Sequence, residues 1–288
     1  MKKPAFPIKK TDTWDHSTDG VGVTDDELLI RQAKYKYNWA DYNRRRLISK
    51  RYDIDMNNPE PGLLRWAKDK FEPFEEHEII PREEWNLDSL NGETILQLYH
   101  PHYQRLYQHI FANHKPTHKI LTIFECTNAK PYYSSVNAKL WSKRYGSKSD
   151  FAVMSNPGVI PFEYSNYYPF RMDEWDHYTE TPEIEEIYTQ TCMDRLIEYK
   201  NALGYEHVIV VMQAKKTQAW ADRLYKENKH NEHEWLHIVT TDEYMEKYMR
   251  ERLIIYKNPG MAKQRMMNDL MTKQEYEKIL NKIYEQYN

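Results

Sequence analysis

Two short stretches of this chain hold residue types that do chemistry at close spacing. The first is Glu125-Cys126-Thr127-Asn128-Ala129-Lys130-Pro131-Tyr132-Tyr133-Ser134-Ser135, with a thiol, an amine, two phenols and several hydroxyls in eleven residues. A cysteine there is a nucleophile if its thiolate is stabilised by Lys130 or by a helix N-terminus. Taken alone, Cys126 reads more plainly as a small buried hydrophobe. The second stretch is Ser155-Asn156-Pro157-Gly158-Val159-Ile160-Pro161-Phe162-Glu163, with two prolines and one glycine. Those residues fix a rigid turn opening towards a short helix. Its backbone amides would face a ligand, or it is a plain strand-to-helix turn.

The flanking elements set where these stretches lie. Lys119–Phe124 and Phe151–Met154 are apolar runs just before the two loops, and each reads as a buried strand. His207–Met212 and Trp235–Val239 read as two more strands. Helices are expected near 101–113, 182–203 and 215–229, and two more over 259–288, the last starting at the capping box Thr272–Glu275. Strands alternating with helices predict an α/β fold: a short, mostly parallel sheet flanked by helices. Residues 1–23 read as an extended arm, and Thr24–Glu27 starts a helix expected to run to about residue 50. Short helices follow at 62–71 and 82–90, so residues 1–95 form a helical N-terminal region and 96–288 the α/β core. In open parallel sheets, ligands bind beyond the carboxyl ends of the strands. That rule selects the two loops above and the one after Met212.

The composition of the 288 residues narrows the class further. Lys+Arg is 41 and Asp+Glu 44, a net charge of -3, which excludes a strongly basic nucleic-acid coat protein. Aromatics make up 14% of the chain, enough large apolar area for a sizeable core. Two cysteines, Cys126 and Cys192, cannot make a disulfide framework or a four-cysteine zinc site. The N-terminus has no apolar signal-peptide region, and no run approaches the ~18 apolar residues of a membrane span. These features predict a cytoplasmic protein without membrane partners. No Walker loop, G-x-G-x-x-G or His-Glu-x-x-His is present, so no cofactor is expected. His100, His102, His109, His114 and His118, and His230, His233 and His237, lack regular ligand spacing, so no metal is expected either.

The two loops resemble motifs of the archaeosine synthase family, relatives of tRNA-guanine transglycosylase. That family has a strand followed by Pro-Cys-Ser-x-x-Lys-Pro-Tyr-x-x-Ser-x-Ser-His. A second strand leads into Ser-Pro-Leu-Gly-Val-Val-Pro-x-Glu and then a Tyr-Pro pair. Cys126, Lys130, Pro131, Tyr132 and Ser135 match the first motif. Ser155, Gly158, Val159, Pro161 and Glu163 match the second, and Tyr168-Pro169 follows. His100-Pro101 and Pro116 also fit, so the resemblance covers residues 99–213. Glu125 and Thr127 replace the family's proline and serine, and Asn137-Ala138 replaces its Ser-His.

The resemblance implies a fold like the layered α/β structure of uracil-DNA glycosylase. It also implies a pocket for a flipped-out base. The archaeal enzyme adds the amine of free lysine to the nitrile of 7-cyano-7-deazaguanine in tRNA. Carried over, Cys126 attacks an electrophilic carbon, Lys130 stabilises the thiolate or binds phosphate, and Glu163 moves a proton. Asn128, Tyr132, Ser135, Ser155, Gly158, Tyr168 and Asp173 would bind substrate, with Tyr132, Tyr133, Tyr164, Tyr167 and Tyr168 available for stacking. Asp173 and Asp176 would hold an amine, although Met172–Asp176 also reads as a solvated acidic turn.

The densest positive run is Arg44, Arg45, Arg46, Lys50 and Arg51, beside Tyr42 and Tyr52. It suits a phosphate backbone with stacked bases, and equally the cation-favouring end of a helix. Lys215 and Lys216 follow the third strand and would contact phosphate at the same edge. The expected function is modification of a nucleobase in DNA or RNA, with DNA favoured and a small amine or amino acid as co-substrate. The alternatives are a glycosylase-like enzyme on an unusual base and a catalytically silent nucleic-acid-binding or protein-interaction module. High Lys, Tyr and Asn with 8 Gly suggests an AT-rich genome, as in a bacteriophage that modifies its DNA.

Overall fold

The computed structural model describes residues 24–85, 100–127, 130–155, 157–173, 182–211, 234–239 and 277–287. The expected arm over 1–23, the helix over 215–229 and residues 259–276 of the last helical stretch lie outside them, and of the helix expected at 82–90 the described part is a 3-10 turn, Arg82–Glu84. Two compact units share the chain, each assembled from three stretches of sequence. The first comprises Met1–Asn113, Cys126–Lys139 and Phe162–Ile184; the second His114–Glu125, Leu140–Pro161 and Glu185–Asn288.

The first unit begins with α1 (Asp25–Trp39). Thr24 Oγ1 accepts from the Glu27 amide at 3.3 Å, and Glu27 Oε2 accepts from the Thr24 amide at 2.8 Å, a complete capping box. The helix does not continue to residue 50. Ala40 turns extended, and Asp41 caps α2 (Tyr42–Tyr52) by accepting from the Arg44 amide at 2.9 Å. A short aspartate competes for backbone donors better at a cap than inside a helix, so the chain breaks there. α3 (Glu60–Lys70) follows. Gly62 lets it approach closely, since a Cβ there would lie 2.8 Å from Ile54 Cα. The three helices enclose Ala33, Tyr37, Ile48, Ile54, Leu63, Trp66 and Ala67. α4 (Pro101–Asn113) buries Tyr103, Leu106, Tyr107 and Ile110 on one face, the spacing of an amphipathic helix.

The second unit holds a five-stranded sheet in the order β3-β2-β1-β4-β5. Its strands are β1 (Ile120–Glu125), β2 (Asp150–Ser155), β3 (Gly158–Pro161), β4 (His207–Val211) and β5 (Leu236–Ile238). β1 pairs in parallel with β2 and β4, with Ile123 opposite Ala152 and Val210, and β4 pairs in parallel with β5. Parallel neighbours need long crossovers, supplied by α5 (Val136–Tyr145) and α6 (Pro182–Leu203). β2 is buried along its whole length and β4 except for His207, as expected of strands covered on both faces. The expected fold class holds: α/β, mostly parallel, with helices and a helical N-terminal region.

One loop departs from expectation. The residues after β2 do not lead from a strand into a helix. They form a hairpin, with β3 antiparallel to β2 and Ser155 opposite Gly158. Gly158 has φ of 113°, which side-chain-bearing residues avoid, so the glycine makes a tight return possible. α7 (277–287) closes the described chain, and its Tyr284 hydroxyl lies 2.6 Å from Thr122 Oγ1 on β1.

Candidate functional site

Cys126 is the residue that follows β1, and from it to Lys139 the chain belongs to the first unit. Within that unit, two stretches separated in sequence meet in a buried polar group.

Lys130 Nζ donates to Asp173 Oδ1, and the two side chains are only 5% and 1% exposed. The Tyr132 hydroxyl donates to both Asp173 oxygens, at 2.7 and 2.8 Å. The Cys126 sulfur lies 3.3 Å from the same hydroxyl oxygen. A phenol has a single proton. If that proton is given to Asp173, the tyrosine oxygen accepts and the thiol donates. The arrangement is then a chain, Cys126 S–H to Tyr132 O–H to the Asp173 carboxylate, closed by the Lys130 ammonium. Cys126 is half-buried, which leaves the sulfur reachable, while the remaining members are buried.

A second buried cation supports this group. Arg171 is 1% exposed and fixes four acceptors. They are Gln32 Oε1 at 2.9 Å, the Pro73 carbonyl at 2.7 Å, Asn166 Oδ1 at 2.6 Å and the Glu72 carbonyl at 2.5 Å. Its guanidinium also lies 3.8 Å from the Phe74 ring centroid. Burial pulls its pKa down to about 10, so it is charged at neutral pH. Gln32 Nε2 and Lys36 Nζ each donate to the Lys130 carbonyl at 3.4 Å, which ties α1 to the loop. Burial, and then Arg171, Lys130 and Arg44, pull the Lys36 amine down to about 8. The Tyr133 hydroxyl donates to Glu72 Oε2 at 2.9 Å, and burial followed by that carboxylate raises its pKa to about 12.

The structure therefore brings together Cys126, Lys130, Tyr132 and Asp173 of the expected residues. Asp173 is buried and not part of a solvated turn, and the amine it holds is the chain's own Lys130. Lys130 is accordingly not presented to phosphate. Glu163 is exposed on the 3-10 turn 162–164 and stands outside the buried group; the carboxylate beside the thiol chain is Asp173. Ser135 is a helix cap: its Oγ accepts from the Ala138 amide at 3.1 Å. Ser155 and Gly158 are the ends of the β2–β3 hairpin.

Tyr168 is fully buried, stacked 4.6 Å from Trp85 and bonded through its hydroxyl to His102 Nδ1 at 2.9 Å, so its ring is part of the core. Tyr167 is stacked 4.6 Å from His77, with Tyr164 edge-on to it at 5.3 Å. Asn128, Asp176, Lys215 and Lys216 lie outside the described residues. Sequence reasoning missed Arg171, Gln32 and Glu72, since their partners are distant in sequence and no local spacing marks them.

Arg44, Arg45, Arg46, Lys50 and Arg51 all lie on α2, exposed except for a half-buried Arg45. Among the described residues no group of three or more His, Cys, Asp or Glu side chains could hold a metal. His237 Nε2 does lie 3.1 Å from His207 Nδ1. No helix among the described residues is long and apolar enough to cross a membrane.

The chain matches no family model. No curated protein matches it either. A crystal structure of a protein of unknown function is similar at 18% identity and a TM-score of 0.32, over 51% of this chain and 48% of that one. That likeness is too slight to bear on function, and the chain spans about half the length of that protein.

Proposed function

We propose that this chain is a nucleobase-modifying enzyme of the archaeosine synthase type, acting on DNA or RNA, with DNA favoured. Its substrate is a modified base with an electrophilic carbon, of the 7-deazaguanine class, and its co-substrate a small amine or amino acid. The thiol chain through Tyr132 to Asp173 is the observation that supports the reading. With a nitrile substrate, the Cys126 sulfur bonds to the nitrile carbon and the π electron pair moves to nitrogen. That nitrogen takes up a proton from the Tyr132 relay. The amine then adds to the same carbon, the C–S bond breaks, and the amine's surplus proton returns the thiol to its starting state. Nitrile and amine become an amidine without oxidant or cofactor. The reading places the enzyme in the cytoplasm, that of the host if the source is viral.

The test is mass spectrometry of nucleosides from DNA and tRNA of cells carrying the native pathway, with the chain intact or as Cys126→Ala. A nucleoside that disappears as a precursor accumulates is the expected result, and the mass difference names the added group. Unchanged nucleosides with folded Cys126→Ala protein would instead favour a silent binding module. That second reading draws on Lys130 and Asp173, which satisfy each other without a substrate.

A further inference from the structure

A cavity of about 520 Å³ opens among α1, α2 and α3, within the roughly 300–1,000 Å³ typical of small-molecule sites. Lys36, Arg44, Arg51 and Lys70 line it together with the aromatic Trp66 and Phe71. Among the described residues no carboxylate lines it. The acid closest in sequence to Lys70, Asp69, is already engaged by the Tyr52 hydroxyl, by Lys70 at 3.0 Å and by Arg51 at 3.7 Å. Asp69 thus answers Lys70 and Arg51, Glu72 acts on Lys36, and four cations line the cavity in a chain whose net charge is -3. Arg44 and Arg51 stand two turns apart on one face of α2, roughly 10 Å by helical rise. Lys36 spans cavity and loop: its ammonium lies 4.1 Å from the Phe71 ring centroid and also donates to the Lys130 carbonyl. Burial first, and then the charges of Arg171, Lys130 and Arg44, pull its pKa down to about 8, with Glu72 acting the other way.

We propose that this cavity binds a nucleotide, its phosphate held by Arg44, Arg51 and Lys70 and its base set against the aromatic wall of Trp66 and Phe71. Guanidinium forks fit phosphate oxygens in pairs, and aromatic faces accept any base. Phosphate alone would need no aromatic wall, and an uncharged aromatic would make no use of the cationic lining. The nucleotide is either free or one residue of a strand. The inference goes beyond the thiol chemistry and does not require Cys126 to react.

The test is calorimetric titration of the full chain with thymidine 5′-monophosphate, inorganic phosphate and a short oligothymidylate, at equal ionic strength. The nucleotide is expected to bind about tenfold more tightly than inorganic phosphate, the contribution of one stacked base. Arg44→Gln with Arg51→Gln should weaken it tenfold or more. Lys36→Met, which removes a cation without exposing a new buried group, should weaken it severalfold. Arg45→Gln with Arg46→Gln, on the same helix but not lining the cavity, should leave it within twofold. An oligothymidylate that binds over tenfold more tightly than the mononucleotide, and loses that advantage in the Arg44/Arg51 variant, identifies the source as a strand. Equal affinity identifies a free nucleotide. The proposal is overturned if the nucleotide binds no better than phosphate, or if its affinity survives in the Arg44/Arg51 and Lys36 variants while circular dichroism shows them folded.

Discussion

The hydroxyl of Tyr132 meets both carboxylate oxygens of Asp173, at 2.7 and 2.8 Å, across 41 residues of sequence. The same hydroxyl oxygen is 3.3 Å from the Cys126 sulfur. Asp173 thus receives the phenol and the Lys130 ammonium together, and the thiol donates, with the Tyr132 oxygen at 3.3 Å and the Thr127 carbonyl at 3.9 Å as its acceptors. The buried pair fixes the phenol, and the phenol faces the sulfur.

Removing one member of this pair should cost more than removing its charge altogether. Asp173→Asn leaves the Lys130 ammonium buried without a counter-charge, and thermal or urea unfolding should show a loss of about 3–5 kcal/mol. Adding Lys130→Met removes the stranded charge, while the asparagine carbonyl still accepts from Tyr132. The double variant should therefore recover part of the loss. A double variant no more stable than Asp173→Asn would contradict the pairing.

Arg171 should tolerate no substitution, including lysine. A lysine ammonium keeps the charge but cannot reproduce a planar fork on Gln32, Asn166 and the Pro73 and Glu72 carbonyls. Arg171→Lys should cost about 2–4 kcal/mol in denaturant unfolding, from acceptors left unsatisfied in the core.

His102 should make the protein acid-sensitive well above the carboxylate range. Burial, and then the charge of Arg105, hold its pKa at about 4, with Glu84 pulling the other way. The unfolded chain takes up the proton near 6.5, so between pH 6.5 and 4 the unfolded state binds more protons and stability falls as pH falls. Above 6.5 the contribution is complete. Up to about 3 kcal/mol should be lost across that window, read from urea midpoints, and His102→Gln should flatten the slope.

In the second unit, Asp150 at the start of β2 accepts from the amides of Thr117 and His118, at 2.9 and 3.3 Å, and from the Tyr205 hydroxyl at 3.1 Å. Burial alone would raise its pKa, but the hydrogen bonds from Thr117 and His118 outweigh it and hold it below the ordinary value. Asp150→Ala should cost about 2–4 kcal/mol at neutral pH in thermal unfolding. The cost should fade as pH falls from the ordinary aspartate value, where the unfolded chain takes up its proton, through the lower folded pKa, where Asp150 is itself protonated.

The sheet was legible because its strands are short apolar runs that need no partner to be recognised. Expected strands at 119–124, 151–154, 207–212 and 235–239 correspond to β1, β2, β4 and β5. β3 escaped notice because its four residues carry a proline and its identity depends on pairing with β2. The break at Asp41 escaped because the helical pattern resumes at once on its far side. Cys126, Lys130 and Tyr132 were visible within one motif. Asp173 reads from the sequence as an amine-holding candidate or a solvated acidic turn, and only the fold brings it to a lysine 43 residues earlier. Arg171 left no local trace.

The most direct measurement is the alkylation rate of Cys126 by iodoacetamide as a function of pH, followed at the Cys126 peptide. The comparison is wild type against Tyr132→Phe. If Tyr132 serves the thiol, it can turn its proton to the thiolate once one forms, and such a bond to a charged group is worth about 1.5–3 kcal/mol. Losing it should slow alkylation at pH 7 by roughly tenfold or more and move the rate profile to higher pH. Equal rates and equal profiles in the two proteins, both folded, would contradict a Tyr132-assisted nucleophile and remove the main support for catalysis at Cys126.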